Sequence, residues 1–85
     1  MAEDILAQVE RREFTKAESV CIVQALFAPW DEFHPTAGER KAWQAATLAY
    51  VTADVAGLVK ALRLLGDTDE RMAEAIQSVS SDIRA

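Results

Sequence analysis

Apolar residues recur along the chain at steps of three and four, and no segment alternates apolar with polar residues over the length of a strand. Met72, Ile76, Val79 and Ile83 form a narrow stripe with a polar face opposite, the pattern of a helix lying on a core. Ile5, Leu6 and Val9 form a shorter stripe ahead of the charged stretch Glu10-Arg11-Arg12-Glu13, which predicts a helix held more weakly than the rest. Between Glu18 and Pro29 only Ser19 and Gln24 are polar, so this segment predicts a central helix, apolar almost all round. The run Val20-Cys21-Ile22-Val23 is the one place where a strand competes. Its neighbours Ala17, Ala25 and Leu26 favour a helix there. Trp43, Ala46, Tyr50, Val55, Leu58, Leu62 and Leu65 keep helical phase past Gly57.

Turn formers and capping pairs set the boundaries. Thr15 with Glu18, Thr36 with Glu39 and Asp67 with Glu70 each have the spacing of a capping box. In that motif the first side chain accepts an orphan backbone N–H and the glutamate reaches back to the cap residue. Pro29 and Pro35 bracket a short aromatic linker, and Gly66 marks the end of a helix. The prediction is one all-α domain over residues 1–85, a small four-helix bundle with helices at about 3–13, 16–28, 37–65 and 68–83. Val20, Val23, Phe27, Trp43, Tyr50, Val55, Leu58, Leu62 and Ile76 are its expected core.

The third helix sets a geometric problem. Unbroken over 37–65 it would be about 43 Å long at ~1.5 Å per residue. A compact chain of this size has a radius of gyration near ~12 Å and hence a diameter of about 31 Å. Either the helix breaks near Gly57, giving five helices, or its end projects and packs on something else. In the second case Val59, Leu62, Leu64 and Leu65 would lie on the overhang, and a homodimer would cover them. Ala45, Ala49, Ala53, Gly57 and Ala61 also form a row of small residues four apart on this helix, of the kind that lets two helix axes approach closely. The row reads first as a contact with the second helix of the same chain, and alternatively as part of a face toward a second chain.

Charge and composition narrow the possible functions. Fourteen acidic residues against nine basic ones give a net charge of -5, which argues against direct nucleic-acid binding because phosphate contacts need clustered Lys and Arg. Arg11, Arg12, Lys16, Arg40, Lys41, Lys60 and Arg63 stand in small groups, and no helix reads as a recognition helix. No apolar run approaches the ~20 residues needed to cross a bilayer, and no signal peptide is seen, so the expectation is a cytoplasmic protein.

Candidate chemistry is sparse. One cysteine and one histidine cannot build an internal disulfide or a Cys/His metal pair. Cys21 lies in the most apolar stretch and is expected to fill the core, and His34 to be a solvated linker residue. Glu3, Asp4, Glu18, Glu39, Asp67, Asp69 and Glu70 fall in first helical turns, where the helix dipole favours negative charge, while Asp31 and Glu32 stand in the linker and Asp54 on the face of the third helix. Phosphate loops, nucleophile elbows and zinc-binding helices are absent. No catalytic, cofactor-binding or metal-binding residues are assigned, and no enzymatic activity is expected.

The linker carries the remaining signal. Trp30 and Phe33 flank Asp31 and Glu32, and a tryptophan in a loop is a frequent interface anchor. The two rings serve either as a lid on the bundle or as a partner-binding patch with the carboxylates as its rim. The functional expectation is a small cytoplasmic helical module that binds a larger protein, as an adaptor, inhibitor or regulatory subunit. The alternative is an acidic inhibitor, of phage or plasmid type, that presents carboxylates to the basic groove of a nucleic-acid-handling complex.

Overall fold

The computed structural model describes residues 2–84. Its elements are α1 (Ala2–Glu10), α2 (Lys16–Phe27), α3 (Arg40–Val51), α4 (Val55–Leu64) and α5 (Asp69–Arg84), with 3₁₀ turns at Ala28–Trp30 and Ala37–Glu39. No strand occurs among the described residues. The fold is the expected all-α one, in its five-helix form.

Local chemistry explains where the helices start. Thr15 Oγ1 accepts the Glu18 N–H at 3.1 Å while the Glu18 carboxylate accepts the Thr15 N–H at 3.0 Å, a complete capping box ahead of α2. Glu39 accepts the Thr36 N–H at 3.0 Å in the same way and opens the 3₁₀ turn that leads into α3. The third expected box differs. Thr68, not Asp67, caps α5, its hydroxyl accepting the Arg71 N–H at 3.2 Å. The Asp67 side chain is thereby free for other partners.

The helix expected over 37–65 is two helices. Ala53 adopts a left-handed backbone, with φ of 55°. Its N–H donates to the Tyr50 carbonyl at 3.2 Å, and the Asp54 N–H reaches back to the Ala49 carbonyl at 2.8 Å. These two bonds are the Schellman closure of a helix C-terminus. Asp54 then starts the next helix, its Oδ1 accepting the Gly57 N–H at 3.1 Å. The break therefore lies at residues 52–54, and Gly57 belongs to the first turn of α4. The same closure ends α1 at Glu10 instead of residue 13. Arg12 takes a φ of 54° there, with bonds from Arg12 N–H to the Val9 carbonyl and from Glu13 N–H to the Gln8 carbonyl. At the end of α4 the left-handed position is Gly66, with φ of 100°.

Because the chain folds back at Ala53, α4 packs along α3 instead of projecting. The radius of gyration is 12.2 Å. α5 packs against α1 and α2, and α2 also touches α3 and α4. Ile22, Leu26, Leu58, Leu62, Met72 and Ile76 are wholly buried, and Ile5, Leu6 and Val9 of α1 are buried with them. The expected core is right for Val23, Val55, Leu58, Leu62 and Ile76. It needs correction elsewhere. Phe27, Trp43 and Tyr50 are only partly buried, and Val20 is exposed. Cys21 is exposed as well, not a core filler. α2 is thus less central than its composition implies, since it turns the side bearing Val20 and Cys21 to solvent.

Candidate functional site

The side chains of α3 and α4 leave a groove between the two helices. Ala45, Ala49 and Ala61 with Gly57 form its small-residue floor, Leu48 and Leu64 its walls, and its volume is about 420 Å³. The row of small residues noted in the sequence is what brings the two helices together. A Cβ built on Gly57 would stand 3.5 Å from the Ala49 Cβ, ordinary contact distance. The contact is therefore between the two halves of the expected third helix, not between that helix and α2. Leu48 is 63%, Val51 68% and Leu64 71% exposed, and among the described residues the other large exposed hydrophobics are Val20 and Ile83.

The charge around the groove departs from that of the whole chain. Lys60 lines it, and Lys41 stands one turn before Ala45 on the same face of α3. Asp54 closes one end, but its carboxylate caps Gly57 and accepts from Arg12 Nη1 at 3.2 Å. Arg11, Arg63 and Arg71 are likewise paired, with Glu13, Asp69 and Asp67. Among the described side chains, Lys16, Arg40, Lys41 and Lys60 have no carboxylate partner, and three of these four belong to α3 and α4.

The linker residues occupy a second region. Trp30 packs edge-on against Phe33, with ring centroids 5.0 Å apart, and Phe33 lies 5.1 Å from Trp43. Phe27 continues the row, 5.1 Å from Trp43 and 4.7 Å from Tyr50. Trp30 Nε1 also donates to Asp67. Asp67 pairs with both Nε and Nη2 of Arg71, and that guanidinium donates in turn to the Leu26 carbonyl at 3.1 Å. Burial works to raise the Asp67 carboxyl, but the hydrogen bonds from Arg71 and from the Thr68 N–H outweigh it and hold the group below the usual carboxylate range. The two rings are half-buried, whereas Asp31, Glu32 and His34 are exposed.

Comparison with protein-family models, with curated proteins and with solved structures gives no match.

Of the residues expected on a self-association face, Val59 and Leu62 lie inside the chain's own core at 3% and 0% exposure. Leu65 is half-buried, and Leu64 alone of the four is well exposed, on the wall of the groove. The overhang that motivated the homodimer does not form, because the chain turns at Ala53. Leu48 and Val51 were the surface residues missing from the sequence reading. Their signal was available: they fall off the Trp43, Ala46, Tyr50 stripe of the same helix. The Asp67–Arg71 pair also had a readable mark in its spacing of four. Among the described residues no group of three or more His, Cys, Asp and Glu side chains is arranged to hold a metal ion. Among the described residues no helix is long and apolar enough to cross a membrane.

Proposed function

We propose that this chain is a protein-binding module whose docking surface is the groove between α3 and α4. The observation that carries the reading is the exposure of Leu48 and Leu64 on the two walls of a groove floored by alanines and Gly57. Large aliphatic side chains at such exposure are costly to leave in water, at about 25 cal/mol per Å² of apolar surface, and a contiguous apolar patch on a small domain marks an interaction site. The acidic groove-blocking alternative has less support, since Glu18, Glu39, Asp54, Asp67 and Asp69 are occupied in caps and ion pairs. A reducing cytoplasm suits the exposed thiol of Cys21.

Site-specific photocrosslinking in the source cells tests the reading. A benzophenone amino acid at Leu48 or Leu64 should capture one discrete protein, which mass spectrometry then identifies. The same probe at Cys21, on the exposed side of α2, should not. Equal labelling from all three positions, or none from the groove, would overturn it.

A further inference from the structure

We infer that the occupant of this groove is an amphipathic α-helix of about three turns whose flanks carry Asp and Glu. The inference deepens the docking reading and rests on it. Two features of the groove select a helix. Its walls are helices whose backbone N–H and C=O groups are bonded internally, so an extended segment would find no edge to pair with and would bury unsatisfied amides. A helix brings its own hydrogen bonds. The floor of Ala45, Ala49, Gly57 and Ala61 admits a close axis, with Leu48 and Leu64 standing on either side as ridges. α3 has twelve residues and α4 ten, so the trough runs for roughly 15–18 Å at ~1.5 Å per residue, which matches ten to twelve residues of a partner helix.

Charge selects the flanks. The chain is acidic overall, yet Lys41 and Lys60 have no carboxylate partner; Lys60 lines the groove, and Lys41 stands one turn before the lining residue Ala45 on α3. The one carboxylate at the groove, Asp54, is already engaged by Arg12 and the Gly57 N–H. Acidic residues beside the apolar stripe of an incoming helix would meet these lysines at the rim. A basic helix would meet them as like charges. A second copy of the chain docking groove to groove would set Lys41 and Lys60 of each protomer into a shared positive rim.

The probe is a pair of fluorescein-labelled, hydrocarbon-stapled peptides with leucine or alanine at i, i+3, i+4, i+7 and i+8. One carries glutamate on both flanks, its twin lysine. Fluorescence anisotropy at low salt should give binding of the acidic peptide at least tenfold tighter than that of its twin. Leu48→Asp and, separately, Leu64→Asp should abolish binding, and Lys41→Glu with Lys60→Glu should reverse the charge preference. Both leucines are well exposed, and an unchanged far-UV circular dichroism spectrum confirms that each variant is folded. Binding of the basic twin as tight as or tighter than the acidic one, lost in Leu48→Asp, would overturn the acidic helix while leaving the docking groove standing. Binding of neither peptide, or binding that survives both leucine variants, would overturn the helix together with the groove as its seat. A doubled mass in sedimentation equilibrium that reverts to monomer in Leu48→Asp would make the occupant a second copy and overturn the inference.

Discussion

Trp30 donates its indole N–H to the Asp67 carboxylate at 3.4 Å, joining the linker after α2 to the turn before α5 across 37 positions of sequence. Arg71 holds the other side of that carboxylate and also bonds the Leu26 carbonyl near the end of α2. The linker is therefore fastened at one point by a tryptophan, an aspartate and an arginine from three different segments.

Trp30→Ala removes both the ring that packs on Phe33 and the donor to Asp67, and should cost about 2–3 kcal/mol, somewhat below the range for a fully buried tryptophan because the ring is only half-buried. Trp30→Phe retains most of the packing and should cost about 1 kcal/mol, the usual net worth of one hydrogen bond. Urea unfolding of the two variants beside Glu32→Ala, whose side chain is exposed and should stay within about 0.5 kcal/mol of wild type, measures this directly.

The Asp67 carboxyl titrates below its unfolded value of about 3.9. A depressed folded value means that the group's contribution is fully present above about pH 4 and is lost as pH falls through the folded value. Asp67→Asn should thus cost on the order of 1–2 kcal/mol at pH 7, where the charge-assisted bonds to Arg71 are intact. The gap between wild type and variant should narrow steadily below pH 4. Denaturant midpoints at pH 7, 4 and 2.5 give the comparison, and a gap that widens in acid would contradict the assignment.

The turn at Ala53 makes opposite demands on two neighbouring positions. Ala53 carries a Cβ in a left-handed conformation, and Ala53→Gly should raise stability by about 0.5–1 kcal/mol by relieving it. Gly57→Ala in a helix ordinarily gains about 1 kcal/mol. Here the new Cβ would come within 2.6 Å of Asp54 Oδ2 and displace the carboxylate that caps the helix, a loss of similar size, so no gain is expected. In an Asp54→Ala background the gain of about 1 kcal/mol should return. The cycle of these variants in thermal unfolding isolates the coupling.

Leu62 and Val20 test which way the helices face. Leu62 is wholly enclosed, and Leu62→Ala should cost about 3–4 kcal/mol. Val20 is 39% exposed, and Val20→Ala should cost less than about 1 kcal/mol. A large loss at Val20 with a small one at Leu62 would reverse the orientation of α2 and α4.

What was legible from the residues alone is short-range. The all-α class follows from apolar spacing. The starts at Thr15 and Thr36 follow from side chains that bond a backbone group three residues away. The end at Gly66 follows from a glycine where the backbone turns left-handed. The row Ala45, Ala49, Ala53, Gly57 and Ala61 was visible as a surface for close packing, since its spacing is a property of any helix.

The tertiary structure decided the rest. Ala53 turns the chain without a glycine to mark the place, and the visible glycine, Gly57, lies inside the next helix, so periodicity ran straight through the break. Once the chain reverses there, Val59 and Leu62 face inward instead of onto an overhang, while Leu48 and Leu64 are left on the walls of an open groove and Val51 on the surface. Nothing local determines that outcome. Which side of an apolar helix meets water depends on the neighbours that reach it, and those neighbours are set by where the backbone folds back.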